Sequence, residues 1–184
     1  MTTRSMPPGV DEPPQGEVSE TIFRRVMASF VTGVTVVTAH VRGEVRGMTA
    51  NAFLSGSLEP PLCVVSVGLK ARMHAFLIES GSFGVNILAR GQEALIGHFA
   101  GRPVENIDLK FEYAGGTPMF AHAQATIAAK IVAQHACGDH SLFVGHIFAL
   151  RHFDGVTPIV LHVGRLASLI PAHEPPLEPI LDFW

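Results

Sequence analysis

The sequence is poor in charge and almost without cysteine. Of 184 residues, 13 are Lys or Arg and 16 are Asp or Glu, a net charge of -3. That balance offers no basic footprint for nucleic acid and no polybasic patch for an anionic membrane. The two cysteines, Cys63 inside an apolar run and Cys137 before a glycine, make neither a CxxC pair nor a bridged framework, so reduced thiols in a cytoplasmic protein are expected. No apolar run reaches the roughly 18 to 20 residues of a membrane span, because Gly, His, Thr or a charge breaks each one. The opening stretch MTTRSMPPGVDEPPQGE lacks an apolar core of signal-peptide length and reads as a mobile arm over 1–18. A proline-rich stretch over 171–184 reads as a tail or partner-binding extension. There is no strand-GxGxxG-helix unit, no Walker sequence and no HxH or HExxH, which argues against a Rossmann domain, a P-loop and a catalytic metal.

What is present is apolar and β-branched. Hydrophobic residues make up 47% of the chain against 16% charged, more apolar surface than a monomer of one domain, here 19–170, readily hides. A sizeable subunit interface is therefore expected. Two β-branched runs, GVTVVTAHV and PLCVVSVGL, flank the small polar segment MTANAFLSGS. Runs of that kind read as strands, and a polar segment without long side chains leaves backbone open for a flat ligand.

Around that centre the spacing predicts a helix from a Ser19 cap through TIFRRVMASF, with Ile22, Phe23, Val26, Met27 and Phe30 on one stripe. A hairpin through Arg42-Gly43-Glu44 joins Val34–Val41 to a second strand, and Leu62–Val67 follows Glu59-Pro60-Pro61. Helices are expected over Arg72–Ser80, closed by Gly81, and over Gln92–Phe99. Phe83–Leu88 reads as a strand, a polar connection runs to about Gly116, and three further β-like runs cover Ala123–His135, Ser141–Arg151 and Pro158–His162. Adjacent strand pairs with short turns predict a mainly β, largely antiparallel, barrel-like sheet with short helices at its ends.

The ordered set FRRVMASFVTGVTVVTA, GMTANAF, SLEPPLCVVSV, FGVNIL, HFAG, ACGDHSLFVGHI and the late His162 with Gly164-Arg165 resembles the short-chain NAD(P)H:flavin reductases, the reductase components of two-component flavin monooxygenases. The resemblance spans roughly Phe23 to Arg165. It implies a split β-barrel that binds FMN or FAD, a homodimer, NADH or NADPH as reductant, and a monooxygenase that receives reduced flavin. It further implies that Met48, Thr49, Ala50, Asn51 and Ala52 border the isoalloxazine ring, with Thr35 nearby and Ser66 at the end of the next strand. Short side chains and free amides suit that role, since they bond the ring's carbonyls and let its plane approach.

The same resemblance assigns the flavin phosphate to the turn Gly68-Leu69-Lys70-Ala71-Arg72-Met73-His74. Ala71 and Met73 stand where hydroxyl side chains are usual, while Lys70 and Arg72 retain positive charge at a helix start. Phe99, Ala100 and Gly101 match a helix end that borders the pocket. Gly138, Asp139 and His140 match the nicotinamide-side motif, with His140 as the catalytic candidate; taken alone they are also a plain turn between two strands. His162 and Arg165 remain as weaker cofactor-binding candidates, because Leu161 and Leu166 replace aromatics. The alternative is a split-barrel protein that holds its flavin tightly, acting on another acceptor or binding without catalysis.

Overall fold

The computed structural model describes residues 18–167 and 169. The expected arm, apart from Val18, and the whole expected tail over 171–184 lie outside the described residues.

The first helix, α1 (Glu20–Met27), is held by an exposed Glu20–Arg24 pair at 2.7 Å. It stops short of the expected Phe30. Ser29 and Phe30 donate their amides three residues back, to Val26 and Met27, and tighten the end into a turn. After the short β1 (Thr32–Gly33), β2 (Thr35–Val41) and β3 (Glu44–Ala50) form the expected hairpin. Its two turn residues, Arg42 and Gly43, both have positive φ (53° and 79°), the backbone that matches the twist of a two-residue hairpin. Arg42 is tied there by paired 2.9 Å bonds to Glu79.

The chain continues through β4 (Phe53–Ser57), β5 (Leu62–Gly68), α2 (Arg72–Ser80), β6 (Ser82–Ile87) and α3 (Glu93–Phe99). Gly81 closes α2 with φ 67° and an amide bond to Leu77, the left-handed stop its sequence announces. The stretch read as a polar connection up to Gly116 instead contains β7 (Phe111–Ala114), paired with β8 (Thr117–Phe120) over Gly115-Gly116. The long strands β9 (Ala125–Cys137) and β10 (His140–His152) follow, then β11 (Val160–His162) and β12 (Arg165–Ala167).

Every strand pairing among the described residues is antiparallel. Seven strands form one sheet in the order β3-β2-β6-β9-β10-β5-β4. Its two edges are consecutive in the chain, joined only by Asn51-Ala52. Laid flat, seven strands would hold those edges about 29 Å apart, whereas the link from Ala50 to Phe53 reaches about 11 Å at most. The sheet must therefore curl until its edges approach, which makes it a split barrel. Register shifts at Val144/Gly145 and Ile147/Ala149 bend the long β9–β10 hairpin into that curve.

The barrel interior is filled by Val37, Ala39, Val41, Val65, Val67, Phe83, Val85 and Phe143. Helix α2 plugs it with Met73 and Leu77, each side chain contributing about 1.5–3 kcal/mol by burial. Cys63 lies in the same core, where burial pushes its thiol up to about 11 and leaves it an inert apolar group. A second cluster, built from Val34, Val36, Leu88, Leu95, Phe120 and Ile159, packs α3 and the β11 region against the outside of β2. Between the two clusters sits Asn86, fully buried and fully used. Its amide donates to the Val36 carbonyl (2.9 Å) and Thr38 Oγ1 (3.2 Å), and its Oδ1 accepts from the Phe120 amide (2.6 Å).

Candidate functional site

Strand β3 is an edge of the sheet and carries small or flexible side chains along Gly47, Met48 and Thr49. Beside it the first turn of α2 and the last turn of α3 leave an open cleft of about 460 Å³. One wall is Val45 to Thr49, a second is Ala71, Arg72, Met73 and Phe76, and the third is His98 to Gly101. Gly47 is required here. A Cβ at that position would stand 2.5 Å from two ring carbons of Phe99, so the absent side chain lets the Phe99 ring lie on the strand as an apolar wall. Thr49 Oγ1 donates to the Ile96 carbonyl at 2.8 Å, fastening α3 to β3. His98 Nδ1 accepts the Val104 amide at 3.1 Å, which holds the turn after α3. The N-cap of α2 is Ala71, which makes no side-chain capping bond, so the first-turn amides of Arg72 and Met73 are without a side-chain acceptor where they border the cleft.

The remaining central candidates sit at the neighbouring end of the barrel. The Ser66 amide donates to the Ala52 carbonyl at 3.0 Å, and on the other side of β5 Leu142 pairs with Ser66 and His140 with Gly68. Ala52, the Ser66–Gly68 end of β5 and His140 therefore lie across three adjacent strands, a width of about 10 Å. The His140 ring lies over Gly68, with Nε2 3.6 Å from where a Cβ would be. Its Nδ1 is 2.7 Å from Asp139 Oδ1. An ionised carboxylate can only accept, so the proton is assigned to Nδ1 and Nε2 is the atom left for a ligand. The bond to His140, with its charge and that of Lys70, holds the Asp139 carboxyl below its ordinary value. The Leu69 amide donates to the Asp139 carbonyl at 3.0 Å and the Ala71 amide to the Gly68 carbonyl at 2.9 Å. One turn thus carries the chain from the His140 end to the cleft.

Of the residues singled out from sequence, Met48, Thr49, Arg72, Phe99, Ala100 and Gly101 line the cleft itself. Ala50, Asn51, Ala52, Ser66, Lys70, Gly138, Asp139 and His140 occupy the adjoining barrel end and do not line it. Thr35 is buried, and its hydroxyl donates to the Ala50 carbonyl at 2.7 Å, so it braces the β3 end from behind. His162 and Arg165 pair with each other across β11 and β12 in the separate three-stranded sheet β1-β11-β12. A smaller hollow of about 160 Å³ beside that sheet, lined by Arg90, Glu93, Pro158, Ile159, Leu166 and Ala167, contains none of the candidates. The sequence reading missed Arg46, Gly47, Phe76 and His98 as cleft residues. A glycine interrupting a strand was the available signal for Gly47; Arg46 and Phe76 meet only in three dimensions.

A model of the flavin reductase like domain matches residues 27–169. The chain belongs to the flavin reductase-like family. A "NADH-dependent flavin reductase" of Rhodococcus sp is 41% identical over 156 residues, 83% of this chain and 88% of the relative. The reductase component of 4-hydroxyphenylacetate 3-monooxygenase from Thermus thermophilus is 43% identical over 138 residues, covering 75% and 89%. Among solved structures, the NADH:FAD oxidoreductase of Streptomyces globisporus in complex with NAD and FAD fragments superposes with a TM-score of 0.77 at 35% identity, covering 84% of this chain and 96% of that one. As a member of the flavin reductase-like family, the chain adds to the split barrel a cleft without a hydroxyl side chain at the α2 cap, since Ala71 occupies it.

Proposed function

We propose that this protein is an NAD(P)H:flavin oxidoreductase that reduces FMN or FAD and hands the reduced flavin to a partner monooxygenase. The single observation that carries the reading is the cleft along β3, whose Gly47–Phe99 wall and uncapped α2 start adjoin the barrel end that presents His140. A planar ring and a phosphate fit those residues. The wall beside Gly47 is flat and apolar, Ala50, Asn51 and Ala52 keep side chains short, and the Arg72 and Met73 amides with the Arg72 guanidinium suit an anionic oxygen. When both are bound, the nicotinamide supplies a hydride and the flavin N5 accepts it. The chain's own work is to hold two flat ligands face to face and to keep His140 Nε2 aimed at them from its Asp139 anchor. No nucleophile or acid–base pair is required of it.

The flavin reading is tested by mixing purified protein with NADH and free FMN, FAD or riboflavin and following loss of the reduced nicotinamide's absorbance. Turnover with at least one flavin is expected, and none with all three would overturn it. His140→Ala is expected to lower kcat/KM by about tenfold, and an unchanged rate would remove His140 from the site.

A homodimer is part of the same proposal. Ile22, Phe23, Val26, Met27, Phe30 and Val31 are each more than half exposed in the single chain, an apolar stripe that suits an interface between two copies. Light scattering on the purified protein should give twice the chain mass. Both cysteines are free and no helix among the described residues is long and apolar enough to cross a membrane, which agrees with a cytoplasmic setting.

A further inference from the structure

Met73 and Leu77 seat α2 in the barrel by apolar burial, which has no direction and does not by itself fix how the helix stands against the strands around it. Among the described residues, only two α2 side chains make hydrogen bonds. Near its end Glu79 holds Arg42 of the β2–β3 turn, in an exposed pair. In its first turn His74, which does not line the cleft, reaches the barrel instead. Its Nε2 lies 2.9 Å from Ser141 Oγ, and its ring meets Phe143 edge-on at 5.2 Å. Ser141 is only 2% exposed and directly follows His140. Its backbone is paired on both sides, with Val67 of β5 and Ala136 of β9. Gln134 of β9 completes the cluster, its Nε2 standing 3.1 Å from Ser141 Oγ and 3.4 Å from His74 Nε2.

The Gln134 amide donates to Ser141 Oγ, which leaves the Ser141 hydrogen for His74 Nε2, so the ring proton of His74 is assigned to Nδ1. A serine hydroxyl on an imidazole nitrogen can also begin a nucleophile–base pair. Ser141 is too deeply buried to meet a substrate, and among the described residues the carboxylates that contact a histidine belong to His140 and His152, not to His74. The contact is therefore a fastening. What it fastens are the two ends that the flavin reading uses, the α2 start with its Arg72 and Met73 amides and the β10 start with His140. The backbone bond from the Leu69 amide to the Asp139 carbonyl, 3.0 Å, is the other tie between them. Successive residues of a strand point to opposite faces, so Ser141 is gripped from the barrel interior while His140 keeps its own face free. We infer that His74, acting through Ser141, is a positioning residue that sets the α2 start against His140 and thereby the register of flavin and nicotinamide for hydride transfer. The inference rests on the flavin reading above and deepens it.

The test is steady-state oxidation of NADH with FMN and FAD by the full chain, with kcat expressed per folded flavin-binding site and flavin Kd measured separately by fluorescence. His74→Phe keeps a ring against Phe143 and loses Nε2. Ser141→Ala removes the hydroxyl from the other side of the same bond. Both should lower kcat by about tenfold, a loss of alignment, while flavin Kd and the KM for NADH stay within about twofold. The double variant should be no slower than either single one, because both remove one contact. His74→Gln places an amide oxygen where Nε2 accepts, and it should return kcat to within about threefold of the parent. A role in folding alone would lower the folded fraction and the thermal midpoint and leave kcat per folded site where it was. Parent kcat in His74→Phe or Ser141→Ala, flavin Kd weakened in step with kcat, additive losses in the double variant, or a glutamine variant no faster than the phenylalanine one would each overturn the positioning role while leaving the flavin reading intact. A parent that turns over neither flavin would overturn both together.

Discussion

Strands β2 and β3 have the same length and lie hydrogen-bonded side by side, Thr35 opposite Ala50 through Val41 opposite Glu44. In β2 every residue except His40 is buried, whereas no residue of β3 is. The difference is position in the sheet. β2 lies between β3 and β6 and is covered on both faces, so Val37, Ala39 and Val41 enter the barrel while Val36 enters the outer cluster. β3 is an edge: Met48 and Ala50 are only partly buried against the barrel core, and at Gly47 the Phe99 ring packs over a missing side chain. The inner strand supplies rigidity, and its edge neighbour is left free to present backbone and small side chains to a ligand. Changes around β2 should therefore cost stability first, and changes along β3 should cost binding first.

The largest break on the inner side is Phe83→Ala. Phe83 is fully buried, and its ring fills the place a side chain on Gly145 would need. Its loss should destabilise by about 3–5 kcal/mol, read as an early midpoint in denaturant, while the folded fraction keeps its flavin affinity. Next is Asn86→Leu, which keeps volume and deletes the bonds to Val36, Thr38 and Phe120. Two buried backbone groups lose partners, and about 2–4 kcal/mol should be lost in the same measurement. If Asn86→Leu were neutral, the inner side would owe its rigidity to packing alone.

On the edge side, Gly47→Ala sharpens the contrast. The added carbon collides with the Phe99 ring and should cost about 1–3 kcal/mol as the ring swings away. Because that ring is a wall of the cleft, flavin affinity should fall as well, which Phe83→Ala does not predict. A Gly47→Ala protein with unchanged flavin binding would mean that the Phe99 wall is not part of the site.

Much of this was legible in the sequence. The β-branched runs located β2, β5, β6, β9 and β10, and Gly81 fixed the end of α2 to the residue. What local pattern does not encode is which edges meet. That follows from the shortness of the Asn51-Ala52 link, a constraint that appears only once the strand order is known. The β7–β8 hairpin was hidden because it sits between polar residues and contains Pro118, whose carbonyl nonetheless accepts a 2.6 Å bond from Thr38. Asn86 looked like one more residue of an apolar strand. Within the site, the Asp139–His140 contact was readable from adjacency. Arg46 on Phe76 was not, since thirty positions separate them and only the packing of α2 beside β3 brings them together.

The smallest expected effect concerns Asp139, and two substitutions separate its two roles. Asp139 accepts from His140 Nδ1 and is fully exposed, so its part in global stability is slight. Asn at this position keeps an acceptor oxygen and loses the charge, whereas Ala loses both. If orientation of the ring is what matters, Asp139→Asn should reduce kcat/KM by less than about twofold and Asp139→Ala by about fivefold, with flavin affinity unmoved in both. The pH dependence carries a definite sign. The Asp139 carboxyl is held below its ordinary value, so its stabilising contribution is complete above the usual aspartate range, near about 4, and fades as pH falls through the lowered value. The thermal midpoint of the parent should accordingly exceed that of Asp139→Asn slightly at neutral pH and converge with it in acid. A difference that persists at a pH where the Asp139 carboxyl is protonated would mean that its charge is not the source of the difference.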